Sequence, residues 1–221
     1  MPASKPPPRD LFELPGASAS LRALARRGVV HRYPKDTILI HEGDIGDTIY
    51  IILEGRLRVL SSDPVNDREV TYGTYGPGQY VGEMGLDGGR RSASVVSDRP
   101  CTCSLITRPT LEAHLLDDPR FAFELINNLI RRARDATLST RRMALNDVYG
   151  RLKAFVESNT VTRGDGTSAL PEYLTQKAIA SHLGCRREMV AKLEKDLERG
   201  GYIDTPRGAP LVLLRPLPAR W

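Results

Sequence analysis

Short apolar runs separated by tight turns dominate the chain from about residue 30 to 107. The runs are "TILI", "TIYIIL", "LRVL", "VTYGTY", "ASVVS" and "CTCSLIT", and the turns include "EGD", "EGR", "GPG" and "DGG". Short runs that end at glycine and proline turns are typical of β-strands, whereas a helix needs a longer amphipathic stretch. The pattern predicts a β-sandwich or β-barrel over this region.

A helical periodicity replaces this pattern from about residue 109 to 146. Apolar and small residues recur every four positions and widen into a stripe, which consists of Phe121, Leu125, Leu129, Ala133 and Thr137, with Ala144 after a slip and Ile126 and Ile130 alongside. A long helix with an apolar seam needs a partner, and parallel self-association is the simplest arrangement. The predicted dimer interface consists of Leu125, Leu129, Ala133 and Thr137.

The stretch "LTQKAIASHLGCRREMVAKLEKDLERGGYI" contains two amphipathic helical patterns joined at Gly184. The apolar faces of the two helices are formed by Ala178, Ile179 and Leu183 and by Val190, Leu193 and Leu197. After them, "YIDTPRGAPLVLL" has the pattern of a small hairpin with Arg207 and Gly208 near its tip. Together these elements predict a winged helix-turn-helix.

The second of these helices begins with side chains that can read DNA base edges. Arginine and lysine bind guanine in the major groove, and glutamate accepts from the amino group of cytosine. The alternative is an ordinary pair of amphipathic helices with charged ends. We expect the DNA-binding residues to be Thr175, Gln176, Arg186, Arg187, Glu188, Lys192 and Arg207.

The charge distribution favours a nucleic-acid partner for the last third of the 221-residue chain. The formal net charge is +5, but residues 1–130 carry 15 basic and 17 acidic side chains, whereas residues 175–221 carry 9 basic and 5 acidic ones. A solvated surface is the alternative explanation of such a surplus. No apolar run approaches the ~20 residues of a membrane span, and "MPASKPPPRD" lacks the apolar core of a secretion signal. With three cysteines in no zinc-ligand spacing, we expect a cytoplasmic protein without membrane contact.

Five stretches follow one another in the order and nearly the spacing of a known family. They are "IHEGDIGDTIYIILEGRLRVL", "YGPGQYVGEMGL", "RRSASV", "NDVYGRL" and "LTQKAIASHLGCRREMV", and through them residues 30 to 215 resemble the Crp/Fnr family of bacterial transcription regulators. The resemblance implies an α+β fold. Its expected parts are a tail with a short helix (1–29), a cyclic-nucleotide-binding β-roll of the jelly-roll type (30–108), a long dimerisation helix (109–146) and a winged helix-turn-helix (147–221).

The stretch "VGEMGLDGGRRSASV" holds an acid and a cation apart across a glycine-rich turn. Glu83 can accept a hydrogen bond from a ribose hydroxyl, while Arg91 and Ser92 can donate to a cyclic phosphodiester. Taken alone, such a pair would more often be a surface ion pair. In the family this segment is the phosphate-binding cassette, so the expected ligand-binding residues are Gly82, Glu83, Met84, Gly85, Arg90, Arg91, Ser92 and Ala93, with Thr137 on the long helix.

The resemblance implies cyclic AMP as the effector, but three features leave alternatives open. The segment between Glu83 and Arg91 is shorter than in the cyclic-AMP receptor. Ala136 and Thr137 stand where that receptor has a threonine and a serine that contact adenine, and only Thr137 can form a side-chain hydrogen bond. The adjacent Arg90 and Arg91 also suit two phosphates or a guanine, as in cyclic di-GMP. A regulator of the same class that acts without nucleotide is a further alternative.

Other functions receive less support from the residue types. An iron-sulfur sensor needs about four cysteine ligands, and the histidines are too scattered to indicate haem. Cys101 and Cys103 share a strand face, where a buried thiol pair is the simpler explanation than a redox switch. Metal clusters and activated nucleophiles are absent from the pattern, so we expect neither an enzyme nor a metal.

A cyclic-nucleotide module that regulates a protein partner is the alternative from another class, and the winged helix argues against it. The resemblance implies that two copies bind a pseudo-palindromic double-stranded operator, and it implies RNA polymerase as a partner. In that scheme nucleotide bridges the β-roll and the long helix and shifts the dimer toward a DNA-binding form.

Overall fold

The computed structural model describes residues 11–63, 68–145, 147–164 and 167–221. These residues form two compact units. The first consists of the described residues up to Ser61 together with Tyr72–Arg131, and the second of those within Ser62–Thr71 together with Arg132–Trp221. Each unit has its own apolar core.

A β-sheet of six strands dominates the first unit. The strands are β1 (Val29–Tyr33), β2 (Ile38–Ile40), β3 (Ile49–Asp63), β4 (Arg68–Tyr75), β5 (Tyr80–Val81) and β6 (Ser94–Ile106). The main path runs β1-β6-β3-β4, and β6 pairs antiparallel with β1, β2 and β3. The predicted α+β fold with a β-roll is confirmed.

A bulge bends the long strand β3 where it passes β6. The register between the two strands shifts three times between Ile52 and Leu57. Within this stretch Gly55 has a φ of +87°, and a Cβ there would lie 2.3 Å from the carbonyl oxygen of Pro100. Only glycine fits this combination of left-handed backbone and close approach.

The core of the first unit lies between the sheet and its flanking helices. Helix α1 (Ala19–Arg27) begins at Ser18, whose hydroxyl accepts from the amide of Leu21 at 2.9 Å. Its apolar face joins one buried cluster, which contains Leu14, Leu21, Leu24, Ala25, Ile49, Ile51, Leu53, Tyr80, Ile106, Leu111 and Phe121. A second cluster within the roll contains Ile40, Ile52, Leu57, Val81, Val95, Cys101 and Cys103.

The helix predicted from residue 109 to 146 is divided in two. Helix α2 (Arg108–Asp117) ends before Asp118, which has φ −136° and ψ 82°, and α3 (Arg120–Leu145) follows Pro119. Proline disfavours the helical conformation at the residue that precedes it, which explains the break. The sequence pattern did not indicate this interruption, because the apolar spacing continues across Pro119.

The second unit contains helices α4 (Val148–Asn159), α5 (Gln176–Leu183) and α6 (Arg187–Arg199). Gly184 ends α5 in the left-handed conformation, with φ 63°, which makes the tight turn into α6. The predicted core residues Ile179, Leu183, Val190 and Leu197 are all buried. The helix-turn-helix pattern is thus present where the sequence predicted it.

The wing follows α6 as part of a four-stranded sheet. Strands β7 (Val161–Thr162), β8 (Ser168–Ala169), β9 (Ile203–Asp204) and β10 (Val212–Leu213) pair in the order β7-β8-β10-β9. Exposed Arg207 and Gly208 lie in the turn that joins β9 to β10. Across the described ranges, every helix is too short or too polar to cross a membrane.

Candidate functional sites

The cassette begins with a sharp turn at the end of β5. Gly82 has a φ of +93°, and a Cβ at this position would lie 2.6 Å from the carbonyl oxygen of Thr48. A single turn of 3-10 helix follows at Glu83–Gly85. Glu83, the first residue of this turn, is buried, with an exposure of only 5%.

Arg91 is the buried cation of the cassette. Its residue exposure is 6%, and its guanidinium donates to the carbonyl oxygen of Gly82 at 2.7 Å and to the carbonyl oxygen and hydroxyl of Thr48 at 3.0 Å each. The space for the guanidinium exists because Gly46 and Gly85 lack side chains, since a Cβ would come 3.0 Å from Nη2 and 2.9 Å from Nη1, respectively.

The positive charge of Arg91 has no carboxylate partner among the residues that the structure describes. Its three hydrogen bonds go to neutral oxygens and use three of the five guanidinium N–H groups. Arginine keeps its proton even when buried. A buried cation held by dipoles alone can bind an anion with little competition from the protein.

The neighbouring loop positions the cassette through backbone bonds. The Gly43 amide donates to the Arg91 carbonyl at 2.9 Å, and the Arg91 amide donates to the Asp44 carbonyl at 2.8 Å. Exposed Arg90 donates from its guanidinium to the Gly43 carbonyl at 2.7 Å. The stretch "HEGDIGDT" carries part of the resemblance, but the sequence alone did not indicate that Gly46 makes room for the Arg91 guanidinium or that Thr48 binds it.

The remaining predicted cassette residues have different environments. Ser92 is exposed, and its hydroxyl donates to the sulfur of Met84 at 3.6 Å, while Ala93 is buried. Asp87 accepts from the amide of Gly89 at 2.8 Å, which closes the short "LDGG" turn. The turn therefore brings Glu83 and Arg91 into the interior and leaves the Ser92 hydroxyl at the surface.

The predicted seam residues on α3 are not equivalent. Leu125 packs against the core cluster of the first unit, whereas Leu129, Ala133 and Thr137 are exposed. The Thr137 hydroxyl donates to the Ala133 carbonyl at 3.0 Å along its own helix. Its contact with a nucleotide base stays a prediction.

The start of α6 is an exposed, positively charged surface. Arg186 is the N-cap without a side-chain capping bond, and Arg187 is the first helical residue. Both side chains, and those of Glu188 and Lys192, are exposed. Cations are unfavourable at the positive end of a helix dipole, so local helix stability does not explain two arginines here.

The start of α5 carries the other predicted DNA contacts. Thr175 caps the helix by accepting from the Ala178 amide at 3.1 Å. Gln176 donates from Nε2 to Oε2 of Glu194 at 2.8 Å. Glu194 is buried on α6, and this burial raises its pKa. Sequence reasoning missed Glu194, although its spacing from Val190 and Leu197 puts it on the apolar face.

The two cysteines of β6, Cys101 and Cys103, are both buried inside the β-roll. Cys101 and Cys103 are 4% and 0% exposed. The interaction between the two thiols, and then burial, raise the pKa of Cys103, and the same interaction lowers the pKa of Cys101. Within the described part of the chain, no group of three or more metal-ligating side chains comes together. A redox role for the pair stays untested.

The sequence of this chain is similar to a known domain family and to known transcriptional regulators. Residues 30–118 match the cyclic nucleotide-binding domain family. The chain is 29% identical over 176 residues to the cAMP-activated global transcriptional regulator CRP of Haemophilus influenzae, covering 76% of this chain and 77% of that protein. It is 27% identical over 194 residues to the CRP-like protein Clp of Xanthomonas campestris pv. campestris, with 82% of each covered.

Solved structures share the fold of this chain. The c-di-GMP responsive global regulator CLP of Xanthomonas campestris matches with a TM-score of 0.79 and 24% identity, covering 89% of this chain and 98% of that one. A CRP/FNR-family transcriptional regulator of Thermus thermophilus matches with a TM-score of 0.68 and 22% identity, covering 85% and 94%. These findings confirm the resemblance to Crp/Fnr regulators, and they identify a match to the cyclic nucleotide-binding domain family over residues 30–118.

Proposed function

We propose that this chain is a dimeric, sequence-specific DNA-binding transcription regulator whose DNA affinity is set by a cyclic nucleotide. The observation that carries the proposal is Arg91, a buried guanidinium with no carboxylate partner among the described residues, in the segment that resembles the phosphate-binding cassette. The cation suits the phosphodiester, and Glu83 suits a ribose hydroxyl.

Cyclic AMP is the effector we propose first. It activates the Haemophilus influenzae relative, and one cyclic phosphodiester carries a single charge that one buried arginine can match. Thr137 supplies the proposed base contact. Ser92 supports the phosphate contact once its hydroxyl leaves Met84, because the O–H···S bond that it now makes is a weak one.

Cyclic di-GMP is the second candidate, and a specific observation favours it. The Xanthomonas campestris regulator is c-di-GMP responsive. Exposed Arg90 lies directly before Arg91, and its guanidinium donates to the backbone carbonyl of Gly43. Two arginines suit the two phosphates of a cyclic dinucleotide. Calorimetric titration of the purified protein with cyclic AMP, cyclic GMP and cyclic di-GMP decides between them. If none of the three binds, the result favours a regulator that acts without nucleotide.

The DNA contacts that we propose lie on α6 and the wing. Arg186, Arg187 and Lys192 form an exposed basic edge, and Arg207 projects from the wing turn. Two copies, joined along α3, would read a pseudo-palindrome with half-sites about 34 to 36 Å apart. Selection from a randomised duplex library, followed by footprinting, tests this. An asymmetric footprint with a single half-site contradicts a dimeric reader.

The curated relatives above are transcriptional regulators, and we propose that this chain is likewise a regulator rather than an enzyme. RNA polymerase is the partner we propose for the DNA-bound form. A nucleotide-binding module for a protein partner is the alternative, and gel shifts with selected duplexes separate the two because only the regulator requires α6 to bind DNA.

A further inference from the structure

Glu194 is a buried carboxylate within the helix that carries the basic edge, and the proposed function does not use it. Its exposure is 6%, and Oε2 accepts from Nε2 of Gln176 at 2.8 Å. Gln176 is the first residue of α5 and is only partly buried, directly after the cap Thr175. The buried carboxylate of Glu194 therefore binds the side chain of Gln176, which lies at the edge of the proposed DNA surface.

We propose that Glu194 is a positioning residue that determines which end of the Gln176 amide faces a DNA phosphate. The inference rests on the proposed DNA-binding function. It assigns Glu194 no contact with DNA of its own, because the carboxylate is buried. Its role is to set the orientation of Gln176.

The hydrogen-bonding capacity of the two groups gives the mechanism. An ionised carboxylate only accepts hydrogen bonds, so Gln176 must turn its NH2 group toward Glu194, as observed. The amide oxygen then lies at the other end, and among the described residues no donor meets it. A carbonyl oxygen at that position repels a phosphate oxygen, which is itself an acceptor.

Protonation of Glu194 reverses this arrangement. The carboxylic acid takes one proton from solvent and donates its O–H to the Gln176 oxygen, and a half-turn of the amide frees the NH2 group. Both N–H bonds then become available to a phosphate. DNA binding should therefore be coupled to uptake of one proton by Glu194, and affinity should rise as the pH falls.

The surroundings of Glu194 raise its pKa on balance. Burial raises its pKa, the bond from Gln176 lowers it, and the negative charge of Glu198 on α6 raises it again. The other ionisable groups on the packed elements, Lys177 and His182 on α5 and Asp204 on β9, are not among the causes of the shift. A phosphate placed beside Gln176 adds further negative charge and acts in the same direction.

The test is Glu194→Gln in the full-length chain, probed with a short DNA duplex of mixed sequence because a phosphate contact is independent of sequence. The new amide has nearly the same size, carries no charge and can donate to the Gln176 oxygen. Fluorescence anisotropy at fixed salt should show affinity for the duplex about tenfold higher than wild type at pH 8. The difference should shrink as the pH falls, because the wild type then becomes protonated.

Gln176→Ala provides the matched control, because it removes the amide and leaves the buried acid. The gain from Glu194→Gln should disappear in the double variant with Gln176→Ala. If the gain persists there, Glu194 acts by charge alone, and the positioning role is overturned. Gln176→Ala by itself should also lose most of the affinity increase that the wild type shows at low pH.

The outcomes separate this inference from the proposed function. A wild type that fails to bind the duplex contradicts DNA binding itself, whereas a wild type that binds while Glu194→Gln keeps the same affinity and pH dependence contradicts only the inference. Folding of each variant is checked by the fluorescence of Trp221, the only tryptophan in the chain, which packs against Tyr202 and Tyr149. If Glu194→Gln fails to fold, an unchanged pH dependence in Gln176→Ala overturns the proposal.

Discussion

Replacing Arg91 by alanine should separate effector sensing from DNA binding. The guanidinium is the buried cation of the cassette, and among the described residues its bonds go to neutral oxygens of Gly82 and Thr48. A charge-assisted hydrogen bond from such a group to a phosphate is worth about 1.5–3 kcal/mol. Nucleotide affinity should therefore fall by about one to two powers of ten.

The same substitution also affects the fold of the cassette. It removes the donor from two backbone carbonyls and one hydroxyl, and each lost hydrogen bond costs roughly 1 kcal/mol when water can replace it. We expect the free energy of unfolding of the first unit to fall by roughly 2–4 kcal/mol. A thermal melt must accompany the calorimetric titration, so that lost affinity is not confused with lost structure.

Two further variants complete the experiment. Arg91→Lys keeps the charge but not the forked donors, so its affinity should lie between those of wild type and Arg91→Ala. Arg90→Ala removes an exposed arginine whose guanidinium donates to the Gly43 carbonyl, and it should weaken cyclic di-GMP binding but leave cyclic AMP binding nearly unchanged. A folded Arg91→Ala protein that binds every nucleotide with wild-type affinity would refute the cassette as an anion site.

Three other expectations concern DNA reading and stability. Arg187→Ala should weaken binding to a selected operator by about 1–3 kcal/mol, with a smaller effect on unrelated duplexes in the same gel shifts; equal losses would contradict base reading. Lys192→Arg should sharpen the base preference in a randomised-site selection, because arginine offers a bidentate fork. Burial and then the charge of Arg27 lower the pKa of His114 below 6.5. The contribution of His114 to the free energy of unfolding of the first unit should therefore be complete above about pH 6.5. Below that pH the free energy of unfolding should fall by up to ~1.4 kcal/mol per pH unit, until the pH passes the lowered pKa. This slope should vanish in melts of His114→Gln.

Local signals explain most of what could be predicted from the sequence. The helix-turn-helix depends on Gly184, whose left-handed conformation follows from residue type and position. The strand pattern likewise needs only alternation and turns. The break before α3 could also have been predicted, since Pro119 is in the sequence. The continuous apolar spacing favoured a single helix instead.

Side-chain direction could not be predicted in the same way. The sequence indicated Arg91 as a cation for phosphate, but not that Gly46 and Gly85 create the space in which its guanidinium lies. That space depends on the loop at Gly46, which lies forty-five residues before Arg91 in the chain. Glu194 shows the opposite case, because its position on the apolar face was visible and only its partner Gln176, on another helix, was not.

For the dimer seam that we propose on α3, helix geometry favours a spacing closer than the four-residue repeat of the predicted interface. Each step of four residues turns about 40° beyond a full circle in an α-helix, so Phe121 and Thr137 face nearly opposite directions. Phe121 is accordingly buried in the first unit, with Leu125 packed against the same core. A straight seam needs alternating steps of three and four residues.

That spacing is satisfied by another set of side chains, which consists of Phe123, Ile126, Ile130, Ala133 and Thr137. Phe123, Ile126 and Ile130 are 71%, 49% and 45% exposed, so this stripe is an apolar face of α3 that the first unit leaves uncovered. Ile130→Asp should place an unpaired charge in the seam and yield monomers in sedimentation velocity, without lowering the melting temperature of the first unit. Leu125→Asp should lower that melting temperature instead. An Ile130→Asp protein that sediments as the wild-type dimer would show that the interface lies elsewhere.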